Sequence, residues 1–90
     1  MRILVQKFGG TSLSSPQART HVIGHIQREL ANHYQLVVVV SAMGRRGEPY
    51  ATDTLLDWID HNGNALPDRE RDLLLCCGEI ISATTLCSLL

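Results

Sequence analysis

This sequence has few aromatic residues and almost no excess of charge of either sign. Aromatic residues make up 4% of the 90 residues, and the formal net charge is −1. Without a basic stripe, the sequence predicts no nucleic-acid partner. Cys76, Cys77 and Cys87 suit neither a disulfide framework nor a C-x-x-C zinc site. We therefore expect small, buried, reduced thiols and no metal ligands among the site residues.

Long hydrophobic runs are also missing. No continuous apolar run reaches the 18 or so residues that cross a bilayer, and the N-terminal "ILV" is too short for a signal-peptide core. These absences predict a cytoplasmic protein with no membrane partner. Apolar, helix-like sequence continues to Leu89-Leu90, and domains rarely end inside an apolar helix. We therefore expect residues 1–90 to be the N-terminal part of a longer protein.

The first half of the sequence predicts a strand, a helix and a second strand. Residues 3–7 and 36–41 are the strands, and the β-branched run "LVVVVS" indicates burial on both faces, as in a parallel sheet flanked by helices. Ser15 is the predicted N-cap of the helix, with Pro16 at its first position and Asn32-His33 at its end. Its expected apolar face consists of Ala18, Val22, Ile26 and Leu30, with Ile23 beside it. This order predicts a right-handed βαβ unit.

Two more helices are predicted after the exposed loop "GRRGEPY". The first begins with Thr52 or Asp53 as its cap and ends at Asn62-Gly63, and Pro67 opens the second. The side chains expected to face the core are Leu55, Leu56 and Ile59 in the first helix, and Leu73, Leu74, Cys77, Ile81 and Thr84 in the second. Because Gly78 interrupts the second segment, it is either one kinked helix or two helices that meet near Gly78-Glu79.

The motif "KFGGTS", residues 7–12, follows the first predicted strand. Ligands of α/β proteins bind at the carboxyl ends of parallel strands. Glycines there let main-chain N–H groups approach a phosphate, a lysine adds a point charge, and Thr11 and Ser12 add hydroxyl donors. Phosphate binding is one interpretation, and a simple Gly-Gly turn is the other. Neither the Walker motif nor G-x-G-x-x-G is present.

Two further segments favour a binding site. The second strand ends in "SAMG", which puts Ser41 and a glycine loop at the same sheet edge. Glu79 stands at the Gly78 interruption of an apolar segment, where its carboxylate faces either solvent or a site.

Four motifs in this order resemble the aspartokinase branch of the amino acid kinase family. They are "VQKFGGTS" at 5–12, "VVVVSAMG" at 37–44, "TDTLLD" at 52–57 and "GEIIS" at 78–82. The resemblance implies a three-layer α/β/α sandwich around a mainly parallel sheet, of which residues 1–90 are the N-terminal portion of the catalytic domain. It implies transfer of the γ-phosphoryl group of ATP, with Mg²⁺, to the β-carboxylate of L-aspartate. That reaction opens the route to lysine, threonine and methionine, through diaminopimelate for lysine, and such an enzyme is expected to be a homo-oligomer.

The resemblance also implies roles for individual residues. Lys7 is the implied catalytic residue, which neutralises charge on the transferring phosphoryl group. The implied ATP-binding residues are Lys7, Phe8, Gly9 and Gly10, with Thr11 and Ser12 as weaker candidates. Ser41, Thr52 and Glu79 are the implied aspartate-binding residues, with Glu79 facing the substrate ammonium. Without the resemblance, Thr52 is equally well explained as a helix cap.

The sequence departs from the family pattern in its basic loop and leaves rival functions open. "GRRGEPYA" is longer and more basic than the usual loop, so we expect a solvated segment, with contact between Arg45 or Arg46 and a phosphate or carboxylate as the alternative. One rival is a family member with glutamate or a nucleoside monophosphate as acceptor. The other is a noncatalytic ATP-binding remnant. We expect the 90-residue chain alone to be inactive, because catalysis needs both halves of the site.

Overall fold

The computed structural model describes residues 1–61 and 65–90. The elements in chain order are strand β1 (Ile3–Phe8), a short 3-10 helix (Gly10–Ser12), helix α1 (Pro16–Ala31), strand β2 (Gln35–Val40), helix α2 (Thr52–His61) and helix α3 (Asp68–Leu89). The predicted end of α2 at Asn62-Gly63 lies outside the described residues.

The strands β1 and β2 pair in parallel, as the βαβ pattern predicts. The register runs from Ile3 opposite Gln35 to Phe8 opposite Val40. Both strands therefore end at the same edge of the sheet, where Gly9 and Ser41 follow them directly. The parallel α/β class is confirmed.

The ends of α1 agree with the sequence prediction, and its apolar face agrees in part. The Ser15 hydroxyl accepts a hydrogen bond of 3.1 Å from the Ala18 N–H, and Asn32 is the C-cap. Val22 and Ile26 are buried in the core. Leu30, which was expected on the same face, is 51% exposed, because it lies in the last turn of the helix, away from the core cluster.

The core lies on one side of the sheet. Helices α1 and α3 contribute to a single cluster of buried residues, against which Phe8 and alternate residues of β2 pack. The other face of both strands is open, with Val5 63% and Val37 51% exposed. The expected burial of β2 on both faces is therefore wrong for this chain, because its helices cover only one face.

Helix α3 is one continuous helix, which decides between the two alternatives left by the sequence. Its buried residues are Gly78, Ser82 and Leu86. Leu73, Cys77 and Thr84 were expected in the core but are exposed, and all three cysteines are free and exposed. The buried face of α3 differs from the predicted one because the small residues Gly78 and Ser82 let the helix approach its neighbours closely.

Within the described ranges, α3 is also a helix that could cross a membrane by length and composition alone. Its mean hydropathy reaches 1.5 over 18 residues, although Glu79 interrupts the apolar run. One such helix is weak evidence of a membrane span, and 17% of this stretch is buried within the chain.

Candidate functional site

The turn after β1 presents main-chain donors at the edge of the sheet. The carbonyl groups of Gly9 and Gly10 accept hydrogen bonds from Ser12 and Leu13 and so close the short 3-10 helix. The N–H groups of Gly9, Gly10 and Thr11 donate no hydrogen bond to any described residue. Consecutive unpaired N–H groups of this kind form a cradle for an anion.

Gly9 borders open space, whereas Gly10 is tightly packed. A Cβ atom built on Gly9 would have no atom within 4 Å, whereas one on Gly10 would overlap the Ala42 carbonyl oxygen. Gly9 has φ −75° and ψ 174°, an extended conformation that any residue adopts. The two glycines therefore differ: Gly10 is required by packing within the chain, and Gly9 leaves open space.

Lys7 lies on the open face of the sheet, next to this turn. It alternates with the half-buried Gln6 and Phe8, and its own side chain is exposed. No described residue forms an ion pair or hydrogen bond with its ammonium group, as the salt bridges and side-chain bonds all involve other residues. The positive charge is thus available to an external anion.

The other residues of the first motif, Phe8, Thr11 and Ser12, differ in their burial and hydrogen bonds. The Phe8 side chain packs against the core cluster, so only its backbone lies at the turn. Thr11 is exposed and its carbonyl accepts a hydrogen bond of 3.1 Å from Ser14. Ser12 is half-buried, and its N–H closes the turn onto Gly9.

The segment after β2 is fastened to the turn. The Ser41 N–H donates to the Phe8 carbonyl at 3.3 Å, and the Gly44 N–H donates to the Gly10 carbonyl at 3.0 Å. The sequence prediction that "SAMG" shares an edge with "KFGG" is therefore correct in its geometry.

Helix α3 reaches the same place through Gly78. A Cβ atom on Gly78 would lie 2.8 Å from the Ala42 Cβ and 3.0 Å from the Tyr50 carbonyl oxygen. The half-buried Glu79 follows Gly78 directly, and Thr52 begins α2 close after Tyr50. The chain segments that carry Ser41, Thr52 and Glu79 therefore meet around Ala42.

Three residues that build this site were not predicted from the sequence: Ala42, Gly44 and Thr54. Ala42 is buried between two glycines, and Gly44 supplies the bond to the turn. Thr54, rather than Thr52, makes the recorded contact to the loop, since its hydroxyl accepts a hydrogen bond of 3.0 Å from the Gly47 N–H. The small residues of "SAMG" and "CGE" were the available signal, but their pairing is a long-range contact.

The basic loop is attached to α2 by Arg46. Its guanidinium donates a hydrogen bond to the Asp57 carboxylate and lies 3.9 Å from a carboxylate oxygen of Asp53. The bond to Asp57, with the charges of Asp57 and Asp53, raises the pKa of Arg46 above its usual value. Arg45 and Arg46 are both exposed, as expected of a solvated loop, and the carboxylates that Arg46 meets belong to the chain itself. Contact of either arginine with a ligand's phosphate or carboxylate stays a prediction.

Replacing Arg46 with methionine should increase the rate of amide hydrogen exchange at Gly47 several-fold. The ion pairs of Arg46 hold the loop against α2, where the Gly47 N–H bonds to Thr54. The ion pairs are exposed and therefore screened by salt, so high ionic strength should produce part of the same increase in the unmodified protein. Hydrogen exchange followed by NMR measures this opening directly. Arg45→Met is the matched control, because no described residue pairs with the Arg45 side chain, and it should leave the exchange rate unchanged. Equal rates in the two variants would contradict the assigned role of Arg46.

The described residues do not group three or more His, Cys, Asp or Glu side chains as metal ligands.

Comparison with known proteins identifies the family of the chain. The model of the amino acid kinase family matches residues 2–90. Aspartokinase 1 of Bacillus subtilis is 51% identical over 90 residues, which is 100% of this chain and 22% of that protein. The aspartokinase of Geobacillus stearothermophilus is 41% identical over 86 residues, which is 96% of this chain and 20% of that protein.

A solved structure gives the same result for the fold. The crystal structure of aspartate kinase from Synechocystis superposes with a TM-score of 0.81 at 40% identity, covering 96% of this chain and 14% of that one. This chain thus spans about a fifth of the length of its curated relatives. The extent of the family match and the shared fold establish that the chain belongs to the amino acid kinase family.

Proposed function

We propose that this chain forms the N-terminal portion of the catalytic domain of an aspartokinase. The reaction is phosphorylation of L-aspartate by ATP to 4-phospho-L-aspartate. The observation that carries the proposal is the row of unpaired N–H groups at Gly9, Gly10 and Thr11, next to the unpaired ammonium group of Lys7. The similarity to proteins named aspartokinase supports aspartate as the acceptor.

On the phosphate side, the chain supplies positive charge and hydrogen-bond donors. The N–H groups of the glycine turn bind oxygens of the ATP phosphates, and Lys7 offsets the negative charge that spreads over the transferring group. Phosphoryl transfer depends mostly on such positioning and electrostatics. Mg²⁺ that enters with ATP would further neutralise the charge of the phosphates.

On the acceptor side, Ser41, Thr52 and Glu79 hold aspartate. The Glu79 carboxylate pairs with the substrate ammonium, and the hydroxyls of Ser41 and Thr52 hydrogen-bond its carboxylates. The nucleophile is the β-carboxylate, which is ionised at neutral pH because a free aspartate side chain has a pKa near 3.9. One of its oxygens forms the new P–O bond, the bond between the β-γ bridging oxygen and the γ-phosphorus breaks, and ADP leaves. No general base is needed.

The proposal also covers the location, the assembly and the pathway of the enzyme. We place it in the cytoplasm, as a homo-oligomer without a nucleic-acid or membrane partner. Its product feeds the synthesis of lysine, through diaminopimelate, and of threonine and methionine. Lys7 is a positioned charge in this scheme, with Phe8 and Ser12 supporting the turn through their backbone.

The test is an acceptor assay on the protein expressed from its complete reading frame. Incubation with ATP, Mg²⁺, aspartate and hydroxylamine should give aspartyl hydroxamate. Glutamate or a nucleoside monophosphate in place of aspartate should give far less turnover, measured as ADP release because a phosphorylated nucleotide forms no hydroxamate. Preference for either replacement would assign the alternative acceptor. Nucleotide binding without turnover of any acceptor would favour a noncatalytic protein. The 90-residue chain alone should give no hydroxamate.

A further inference from the structure

Ala42 is held between two glycines that belong to distant parts of the sequence. Its side chain is 6% exposed. On one side, its carbonyl oxygen would overlap a Cβ atom built on Gly10. On the other, its methyl carbon would be only 2.8 Å from a Cβ atom on Gly78. Gly10, Ala42 and Gly78 therefore form a contact with no room for an additional methyl group.

Gly10 and Gly78, on either side of Ala42, belong to the two halves of the proposed site. Gly10 belongs to the turn that presents the unpaired N–H groups, and its carbonyl also accepts the Gly44 N–H at 3.0 Å. Gly78 lies in the middle of α3 and is followed by Glu79. Because α3 is a continuous helix, a shift of its backbone at Gly78 moves Glu79 with it.

We propose that Ala42 is a positioning residue whose methyl group sets the separation between the phosphate-binding turn and Glu79. This inference rests on the proposed function, since it concerns how the acceptor is aligned with the γ-phosphoryl group. A misplacement of roughly 1 Å can lower a rate about 100-fold. The width of one methyl group is therefore enough to affect phosphoryl transfer.

The contact makes a specific prediction about paired substitutions. Gly78→Ala places a new methyl group against Ala42, which pushes α3 away and misplaces Glu79. Ala42→Gly in the same chain removes the opposing methyl group and relieves most of the overlap, leaving the 3.0 Å approach to the Tyr50 carbonyl. Gly10→Ala meets the Ala42 carbonyl oxygen, which Ala42→Gly does not remove. Ala42→Gly should therefore rescue Gly78→Ala and fail to rescue Gly10→Ala.

The experiment measures kcat, both KM values and the melting temperature of these variants in the protein from the complete reading frame. Gly78→Ala should lower kcat/KM for aspartate by about 10- to 100-fold, and change the KM for ATP much less. The double variant Gly78→Ala with Ala42→Gly should return to within a few-fold of the unmodified enzyme. Gly24→Ala is the matched control, because its new Cβ would have no atom within 4 Å, and it should leave the kinetics unchanged.

Each outcome has a definite meaning. Rescue of kcat/KM for aspartate by Ala42→Gly supports the positioning role, and a rescue of melting temperature alone overturns it by leaving only a packing role. If Gly78→Ala fails to fold, Ala42→Gly alone decides, because it adds no atom. It should raise the KM for aspartate several-fold, and an unchanged KM would overturn the proposal. Absence of hydroxamate formation in the unmodified protein would instead overturn the proposed function, and the positioning role with it.

Discussion

Replacing Lys7 with methionine should lower kcat/KM for phosphoryl transfer by roughly 10²- to 10³-fold, the usual effect of removing one group that stabilises transition-state charge. The melting temperature should stay unchanged. Lys7 is exposed and has no recorded ion pair or hydrogen bond with the described residues, so the fold loses no contact of the ammonium group. The measurement is steady-state kinetics together with thermal unfolding of the same preparations.

Two other substitutions serve as controls for the Lys7 result. Arg69→Met removes an exposed positive charge from the first turn of α3 and should leave kcat/KM unchanged. Lys7→Arg keeps the charge but changes the shape of the donor, so its kcat/KM should lie between the values of the unmodified enzyme and of Lys7→Met. A Lys7→Met enzyme that retains more than about a tenth of the activity would contradict the electrostatic role.

Replacing Gly10 with alanine should destabilise the fold by about 1–3 kcal/mol or more, the usual cost of forcing extra atoms into a packed site. The new methyl group overlaps the Ala42 carbonyl and would lie 3.1 Å from the carbonyl oxygen of Gly44. Both contacts are with backbone, which cannot turn aside as a flexible side chain can. Denaturant unfolding of the two proteins measures the difference.

Gly9→Ala is the matched control for Gly10→Ala, one residue away in the same turn. Gly9 has an extended backbone and free space at its Cβ position, so alanine should fit with little change in the free energy of unfolding. Equal destabilisation by the two substitutions would show that the turn is sensitive to any side chain. The assigned contact between Gly10 and Ala42 would then be wrong.

Local patterns in the sequence were enough to predict the elements that carry the site. The β-branched run of β2, the Ser15 cap and Pro16 at the start of α1 are all present in the structure. Because parallel strands end at one edge, the meeting of "KFGG" and "SAMG" followed from the strand assignment. Each of these inferences needs only a few neighbouring residues.

The errors arose where packing between distant segments decides the outcome. Apolar residues recur on more than one face of α3, so the sequence alone does not decide which face is buried. The face of Gly78, Ser82 and Leu86 is buried because the helix lies close to the loop after β2. The cysteines are consequently exposed instead of buried. Likewise, the small residues of "SAMG" and "CGE" allow close contact but do not show that Ala42 lies between Gly10 and Gly78.

The most direct test of the central claim is a crystal structure of the protein from the complete reading frame with Mg²⁺ and a nonhydrolysable ATP analogue. We predict that phosphate oxygens lie about 3 Å from N–H groups of Gly9, Gly10 or Thr11, with the Lys7 ammonium within similar reach of the γ-phosphate. A nucleotide whose triphosphate binds at another edge, leaving Lys7 and these N–H groups in solvent, would contradict the account.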